Sequence, residues 1–369
     1  MLDEAWLHAT YRVESRSSEI DARANAIALE QSIETPIEGV NDERVLRDVV
    51  ARVVNIARVA ETSFDVTIAI AVETTGFEAG QLLNMLFGNT SLHDDVALID
   101  VEVPPRFAAG FGGPRFGIAG IRQITGVHGR PLTCSALKPQ GLAPAQYAQI
   151  ARTFAHAGID VVKDDHGLAD QSSAPFTARV RAVQRAIDEV NRASGTHCVY
   201  APSLSGHCGQ MREQLLHARD SGVRMLLIAP MLCGVATLAA VARDANMPLI
   251  AHPAMAGAAR IAPPLLLGKL FRLFGADATI FPNSGGRFSY AAKVCDAIVE
   301  RARAQWLDLS PMLPVPAGGM SVARVPEMRA RFGDDAMLLI GGSLLIAGDQ
   351  LLARCREFVA AVKREGEKR

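Results

Sequence analysis

From Pro131 onward the chain repeats one pattern eight times: a short apolar run of strand length, a polar or glycine-rich turn, and an amphipathic helical stretch. The runs are Thr133 to Lys138, Asp160 to Asp165, His197 to Ala201, Arg224 to Ala229, Leu249 to His252, Thr279 to Pro282, Leu313 to Val315 and Met337 to Ile340. The helical stretches open after breakers or capping residues such as Leu142-Ala143-Pro144, Ala174-Pro175, Ala262-Pro263-Pro264 and Ser321. Their Ala-, Leu- and Arg-rich spacing is that of helices lying on a sheet. Strand–helix units in this number, over about 235 residues, predict a closed (β/α)8 TIM barrel, since an open doubly wound sheet usually stops at about five or six strands.

The preceding segment lacks that unit. Strand-like runs (Trp6 to Val13, Phe64 to Val72, Val96 to Val103) alternate with helical ones (Ile20 to Gln31, Arg44 to Ala60, Phe77 to Phe87), which predicts a smaller α+β domain with helices on a mainly antiparallel sheet. The Gly- and Pro-rich stretch from Pro104 to Arg122 reads as a linker and turn region. The expected division is therefore an α+β N-terminal domain over residues 1–125 and a barrel carrying the active site over 126–369.

A net charge of -1 leaves no basic footprint for nucleic acid. Six scattered cysteines without a CxxC pair fit reduced thiols better than a disulfide framework, and the apolar runs are too short to span a membrane. A cytoplasmic enzyme of small molecules is the expectation.

In a barrel the chemistry sits at the carboxyl ends of the strands. Those ends carry Lys138 and Gln140, then Lys163, Asp165 and His166, then Ser203 and His207, then His252, then Asn283 with Ser284-Gly285-Gly286-Arg287, then Gly318-Gly319, and last Gly341-Gly342-Ser343. Singly each has an ordinary explanation in a turn or a satisfied polar side chain; their joint placement on one rim is what points to a site. The glycine pairs after strands seven and eight offer exposed backbone N–H groups where barrels commonly hold a phosphate. Lys163 beside Asp164, Asp165 and His166 can be a salt-bridge lysine, a Schiff-base nucleophile, or, once carbamylated by carbon dioxide, an anionic ligand that binds Mg²⁺ together with a carboxylate. Adjacent acids work against the depressed pKa a Schiff base needs, so the metal reading fits better. Pro139 biases Lys138 toward an extended conformation, aiming its side chain at the mouth as a proton carrier or oxyanion partner.

These stretches resemble a known family. Leu137-Lys138-Pro139-Gln140-Gly141-Leu142, Gly158-Ile159-Asp160-Val161-Val162-Lys163-Asp164-Asp165, Phe332-Gly333-Asp334-Asp335 leading to Gly341-Gly342, and Phe87-Gly88-Asn89 are similar to the ribulose-bisphosphate carboxylase large subunit. They are more similar still to the non-carboxylating form IV, the RuBisCO-like proteins. The resemblance implies an α+β domain before a barrel, and a homodimer in which the N-terminal domain of one subunit completes the other's site. It implies carbamylated Lys163 with Asp165 and His166 as ligands of Mg²⁺, Lys138 as acid–base lysine, and His252 as the strand-five histidine. Gly319, Gly341 and Gly342 take the place of the first phosphate site, and Glu30, Thr35 and Asn89 that of the residues a partner subunit supplies.

Departures from the carboxylase pattern narrow the chemistry. His166 stands where the carboxylase has a glutamate ligand, Gln140 replaces a second lysine, Pro253 an arginine, Phe281 a histidine and Ala317 a serine. Arg287 is the nearest cation to a missing flexible-loop lysine. A second phosphate dianion has lost its cation, and burying it would be severely unfavourable. The expected substrate is a monophosphorylated ketose with a nonpolar far end, facing a pocket of Gln140, Pro253, Phe281 and Arg287. Isomerisation of 5-methylthioribulose 1-phosphate in sulfur (methionine) salvage, through a Mg²⁺-stabilised enolate, leads the readings. Behind it stand decarboxylation of a 3-oxo sugar-acid 4-phosphate of the 3-oxo-isoapionate type, tautomerisation of a diketo methylthio phosphate, and a catalytically silent metabolite-binding homologue.

Overall fold

The computed structural model describes residues 3–286 and 288–363. Arg287 therefore lies outside the described residues. The described residues form two compact units, one of residues up to 113 with 255–266 and 305–309, the other of 114–254, 267–304 and those from 310.

The first unit is built on a four-stranded antiparallel sheet in the order β2-β3-β1-β4, where β1 is Trp6–Glu14, β2 Arg52–Arg58, β3 Ser63–Ala71 and β4 Val96–Glu102. Strict alternation in β1 buries Leu7, Ala9, Tyr11 and Val13 on one face. The helices Ile20–Glu30 and Ala79–Phe87 lie in the same unit. Tyr11 donates its buried hydroxyl to the Leu86 carbonyl at 2.6 Å and sets its ring against Phe87. The free edge of β4 pairs with residues 260–262, Leu98 exchanging hydrogen bonds with Arg260 and Ala262.

Two expectations fail here. The helix read from Arg44 to Ala60 is a short helix, Glu43–Asp48, followed by β2. Asp42 caps the helix through the N–H groups of Arg44 and Val45 at 2.8 and 3.0 Å, but Val49, Val50, Val53, Val54 and Ile56 follow. β-branched side chains in that density favour the pleat over the helix. The stretch from Pro104 to Arg122, read as linker, contains the helices Pro105–Phe111 and Gly117–Thr125. The second of these, assigned above to the first domain, belongs to the second unit.

Among the described residues that second unit contains eight parallel strands: β5 (Leu132–Leu137), β6 (Val161–Asp164), β7 (Val199–Ala201), β8 (Leu226–Ile228), β9 (Leu249–Ala251), β10 (Ala278–Pro282), β11 (Leu313–Ala317) and β12 (Met337–Leu339). They hydrogen-bond in the runs β12-β5-β6-β7 and β8-β9-β10-β11. A bridge between Ser203 and Leu227 joins β7 to β8, and β11 lies beside β12, closing the barrel. Every strand read from the sequence is present, with ends shifted by at most two residues.

Alternate residues fill the interior: Leu132 and Cys134, Val161, Val199 and Ala201, Met225 and Leu227, Ile250, Ala278 and Ile280, Leu313 and Val315, Met337 and Leu339. Ile118 and Ile121 of the helix Gly117–Thr125 belong to this core. Arg122 of that helix bonds Asp335 and the Asp334 carbonyl just before β12, so the helix plugs the amino end of the barrel. Gly117 is required there, at φ +56, because a Cβ would lie 2.7 Å from the Pro311 carbonyl oxygen.

Candidate active site

With the amino end plugged, side chains of the same parity as the core emerge at the carboxyl end. Continuing each strand by two residues from Ala136, Val161, Ile250 and Leu339 brings up Lys138, Lys163 with Asp165 beyond it, His252 and Gly341. The rim chemistry is thus the last layer of the barrel interior.

At its base Lys163 is buried, with Nζ donating to the Asp164 carbonyl at 2.8 Å. Burial pushes its pKa down, against the opposing pull of Cys134 and Asp165. Lys138 reaches Asp165 from β5, Nζ to Oδ1 at 2.6 Å. Burial alone would raise the Asp165 carboxyl, but bonds from His166 and Lys138 and the charge of Lys163 outweigh it and hold the group well below the usual carboxylate range. His166 places Nδ1 3.5 Å from the same oxygen and stacks on His252, ring centroids 4.1 Å apart. That stack, with the approach to Asp165, is the physical setting of a histidine whose presence the sequence leaves unexplained.

His252 is pushed down to about 2, first by burial and then by its electrostatic interaction with Lys163 and His166. It is neutral at physiological pH. Its Nδ1 accepts the Ala254 N–H at 3.1 Å, so the ring proton sits on Nε2 and that nitrogen donates. The unfolded chain protonates this residue near its ordinary 6.5, whereas the folded one does not until about 2, so stability is lost as pH falls below 6.5. At pH 5 the loss from this residue is about 2 kcal/mol. Urea unfolding of the metal-free protein at pH 7 and pH 5 should show that component in the wild type and not in His252→Gln.

Asp164 points the opposite way, out of the barrel. It is fully buried and accepts from Arg179 Nε at 3.2 Å, the Tyr200 hydroxyl at 2.7 Å and the Ser203 N–H at 3.1 Å. Nothing in the sequence singles out Arg179 or Tyr200, where one is an arginine in an arginine-rich helix and the other an aromatic in an apolar strand. Ser203 and His207, two of the rim residues, have structural duties: the Ser203 backbone serves Asp164, and the His207 ring caps the helix Cys208–Asp220.

Gln140 lies over Gly167, where a Cβ would meet its Nε2 at 1.9 Å and Asp165 Oδ2 at 3.8 Å. The obstructing atom is the end of a flexible side chain, so Gly167→Ala should displace the amide at a cost under about 1 kcal/mol. Gly319 is a contrasting case. Its φ is +62 and a Cβ would lie 2.4 Å from Gly286 Cα, so Gly319→Ala should cost about 3 kcal/mol or more. Chemical unfolding of both variants separates the two situations.

Phe281 is a correction. Ala278 and Ile280 face the barrel interior, so Phe281 faces out, where it is fully buried edge-on against Phe332 at 6.0 Å. It belongs to the layer between strand and helix and does not line the mouth. Pro253 is half-buried after β9.

Residues 117–348 match the family described as the ribulose bisphosphate carboxylase large chain, catalytic domain. The chain belongs to that family, as a RuBisCO-like protein. It is 52% identical over 358 residues, 96% of each chain, to 5-methylthioribulose-1-phosphate isomerase of Rhodospirillum rubrum. It is 33% identical over 308 residues to 2,3-diketo-5-methylthiopentyl-1-phosphate enolase of Geobacillus thermodenitrificans, covering 80% of this chain and 74% of that one. The crystal structure of the Rubisco-like protein from Rhodopseudomonas palustris superposes with a TM-score of 0.93 at 47% identity over 100% of both chains.

The metal that the RuBisCO family implies can be tested against these side chains. Among the described residues no three His, Cys, Asp or Glu side chains converge as a ready-made site. The mouth offers one well-ionised carboxylate, Asp165, and the imidazole of His166. Mg²⁺ prefers hard oxygen donors, so the set fits it only with a further anionic oxygen, and the buried amine of Lys163 is the group that can acquire one. In the first unit of this RuBisCO-like protein, Asn89 donates to Glu30 at 2.8 Å, and Thr35 is exposed. No described helix is long and apolar enough to cross a membrane, and all six cysteines are free thiols.

Proposed function

We propose that this RuBisCO-like protein is an enzyme that forms and reprotonates the enolate of a monophosphorylated ketose, isomerising 5-methylthioribulose 1-phosphate. The observation that carries the reading is the trio at the mouth: Lys138 at 2.6 Å from an ionised Asp165, above a buried Lys163 whose pKa is lowered. An ammonium paired with a carboxylate, over an amine biased toward neutrality, suits repeated proton transfer at carbon. The identity to the Rhodospirillum rubrum isomerase supports the choice of substrate.

Mg²⁺ would be held by Asp165, His166 and the carbamate formed on Lys163, and when bound it supplies Lewis-acid stabilisation of charge developing on the ketone oxygen. Carbamate formation needs the neutral amine, and burial of Lys163 favours that form. Lys138 carries the mobile proton at Nζ. His252, neutral and protonated on Nε2, donates a hydrogen bond to a substrate oxygen. The backbone of Gly319, Gly341 and Gly342 receives the single phosphate. Gly341 suits this role, since a Cβ there would meet only Lys138 Cε, at 3.9 Å. Gln140 and Pro253 bound the rest of the pocket, and their lack of charge agrees with a nonpolar methylthio end. In a homodimer, Glu30, Thr35 and Asn89 of the partner subunit complete the site, and a cytoplasmic setting agrees with the free thiols.

Purified protein with Mg²⁺ and bicarbonate, incubated with 5-methylthioribulose 1-phosphate in deuterated water, should give isomerised, deuterium-labelled product by proton NMR. Unchanged and unlabelled substrate would overturn the proposal. The enolase relative supports one further reading, tautomerisation of a diketo methylthio phosphate, which the same trio can perform and a parallel incubation distinguishes.

A further inference from the structure

The turns that follow β10 and β11 rest on each other backbone to backbone. A Cβ on Gly286 would lie 2.8 Å from Gly318 C and Gly319 N, so neither turn tolerates a side chain at the contact. Close approach alone does not immobilise them, because glycine has the widest φ/ψ freedom of any residue. The rigidity comes from elsewhere. Arg324, immediately before the helix Val325–Phe332, reaches back so that one nitrogen, Nη1, donates to the Ser284 carbonyl at 3.0 Å and the Gly319 carbonyl at 2.9 Å. Its Nε and Nη2 form a fork on Glu327, both at 3.0 Å, which aims the guanidinium. Arg331 of the same helix adds a second brace, donating to Ser284 Oγ at 2.9 Å while its Nε holds Asp296 at 2.7 Å.

We propose that Arg324 is a positioning residue for phosphate recognition: by stitching the turn after β10 to the Gly318-Gly319 turn, it holds the glycine backbone in the conformation that receives the phosphate. The inference rests on the assignment of Gly319 to the phosphate site. Binding to a mobile glycine pair loses affinity to the ordering of that pair, and a guanidinium that orders it beforehand removes the loss. Charge alone does not account for Arg324, since Glu327 neutralises it. A lysine has one donor nitrogen and no planar fork, so it can restore only part of the stitch.

The test measures the affinity of wild type, Arg324→Gln and Arg324→Lys for inorganic phosphate by calorimetry. It is joined to kcat and KM on 5-methylthioribulose 1-phosphate and to thermal unfolding, with Arg354→Gln on the helix Leu351–Lys363 as a remote control. Arg324→Gln should weaken phosphate about tenfold and raise KM by a similar factor, with kcat within about twofold of wild type. Arg324→Lys should fall between, and the control should match wild type. Equal phosphate affinity and KM in wild type and Arg324→Gln would overturn the positioning role while leaving the phosphate site standing. Wild-type protein that takes up no phosphate would overturn the site and the role together. A fall in kcat with phosphate affinity and KM unchanged would also overturn it, because positioning of the phosphate must appear in binding.

Discussion

Lys163→Met is expected to lower enolisation by about a thousandfold or more, as loss of an acid–base or metal-holding group does. It should leave the fold as stable as the wild type or more so. The two halves of that outcome have one cause. Lys163 is buried at the last interior layer of the barrel, and burial is the largest influence on its pKa. A charge kept there is unfavourable for stability, and a methionine of similar length restores the packing of the stem without it. If the lysine is held for chemistry, its removal abolishes deuterium exchange into substrate while urea unfolding shifts little or in the stabilising direction. A ¹³C-bicarbonate label separates its role further. Wild type should show a carbamate carbon that Lys163→Met lacks, with uptake rising with pH as the amine loses its proton. Retained exchange in Lys163→Met, or an equal carbamate signal in both proteins, would defeat the assignment.

The neighbouring aspartate should behave in the opposite manner. Asp164→Ala is expected to cost about 3–5 kcal/mol of stability, because it strands the guanidinium of Arg179 in a fully buried position. Arg179→Met should cost a similar amount by stranding the carboxylate, which keeps only Tyr200 and the Ser203 N–H. Removing both charges together, in Asp164→Ala with Arg179→Met, should cost markedly less than the sum of the single changes. An uncompensated buried charge dominates each single change, and the double mutant has none. Urea unfolding of the four proteins measures the coupling, and simple additivity would mean that the pair does not act as one unit.

Adjacent residues of one tripeptide face opposite directions here, and this is where sequence and structure part company. That Lys163, Asp164 and Asp165 end a barrel strand was legible from the eight-fold strand–helix pattern. The facing of Asp165 follows only from family likeness, and the sequence hides the partners of Asp164: several arginines share the helix Phe176–Ser194, and only Arg179 among them meets Asp164. Phe281 was misplaced by the same difficulty, since a short strand whose two faces are both apolar does not announce which is interior. The helix expected over Arg44 to Ala60 stops at Asp48 because the valines and isoleucine that follow favour the pleat of β2. In the stretch around Gly117, glycines read as loop-formers were needed for tight packing, which composition alone cannot distinguish.

One detail of the first unit bears on the life of the chain before it reaches the folded state. Among the described residues the outer edge of β2 pairs with no strand, and its sequence, Arg52-Val53-Val54-Asn55-Ile56-Ala57-Arg58, has the β-branched character of an aggregation nucleus. The register slips between Val53 and Asn55, leaving the exposed Val54 without a cross-strand partner, and an arginine stands at each end. A kinked edge flanked by like charges presents no straight row of donors and acceptors to a second chain. The same irregularity that makes β2 hard to read as a strand also makes it a poor template for pairing between newly made copies.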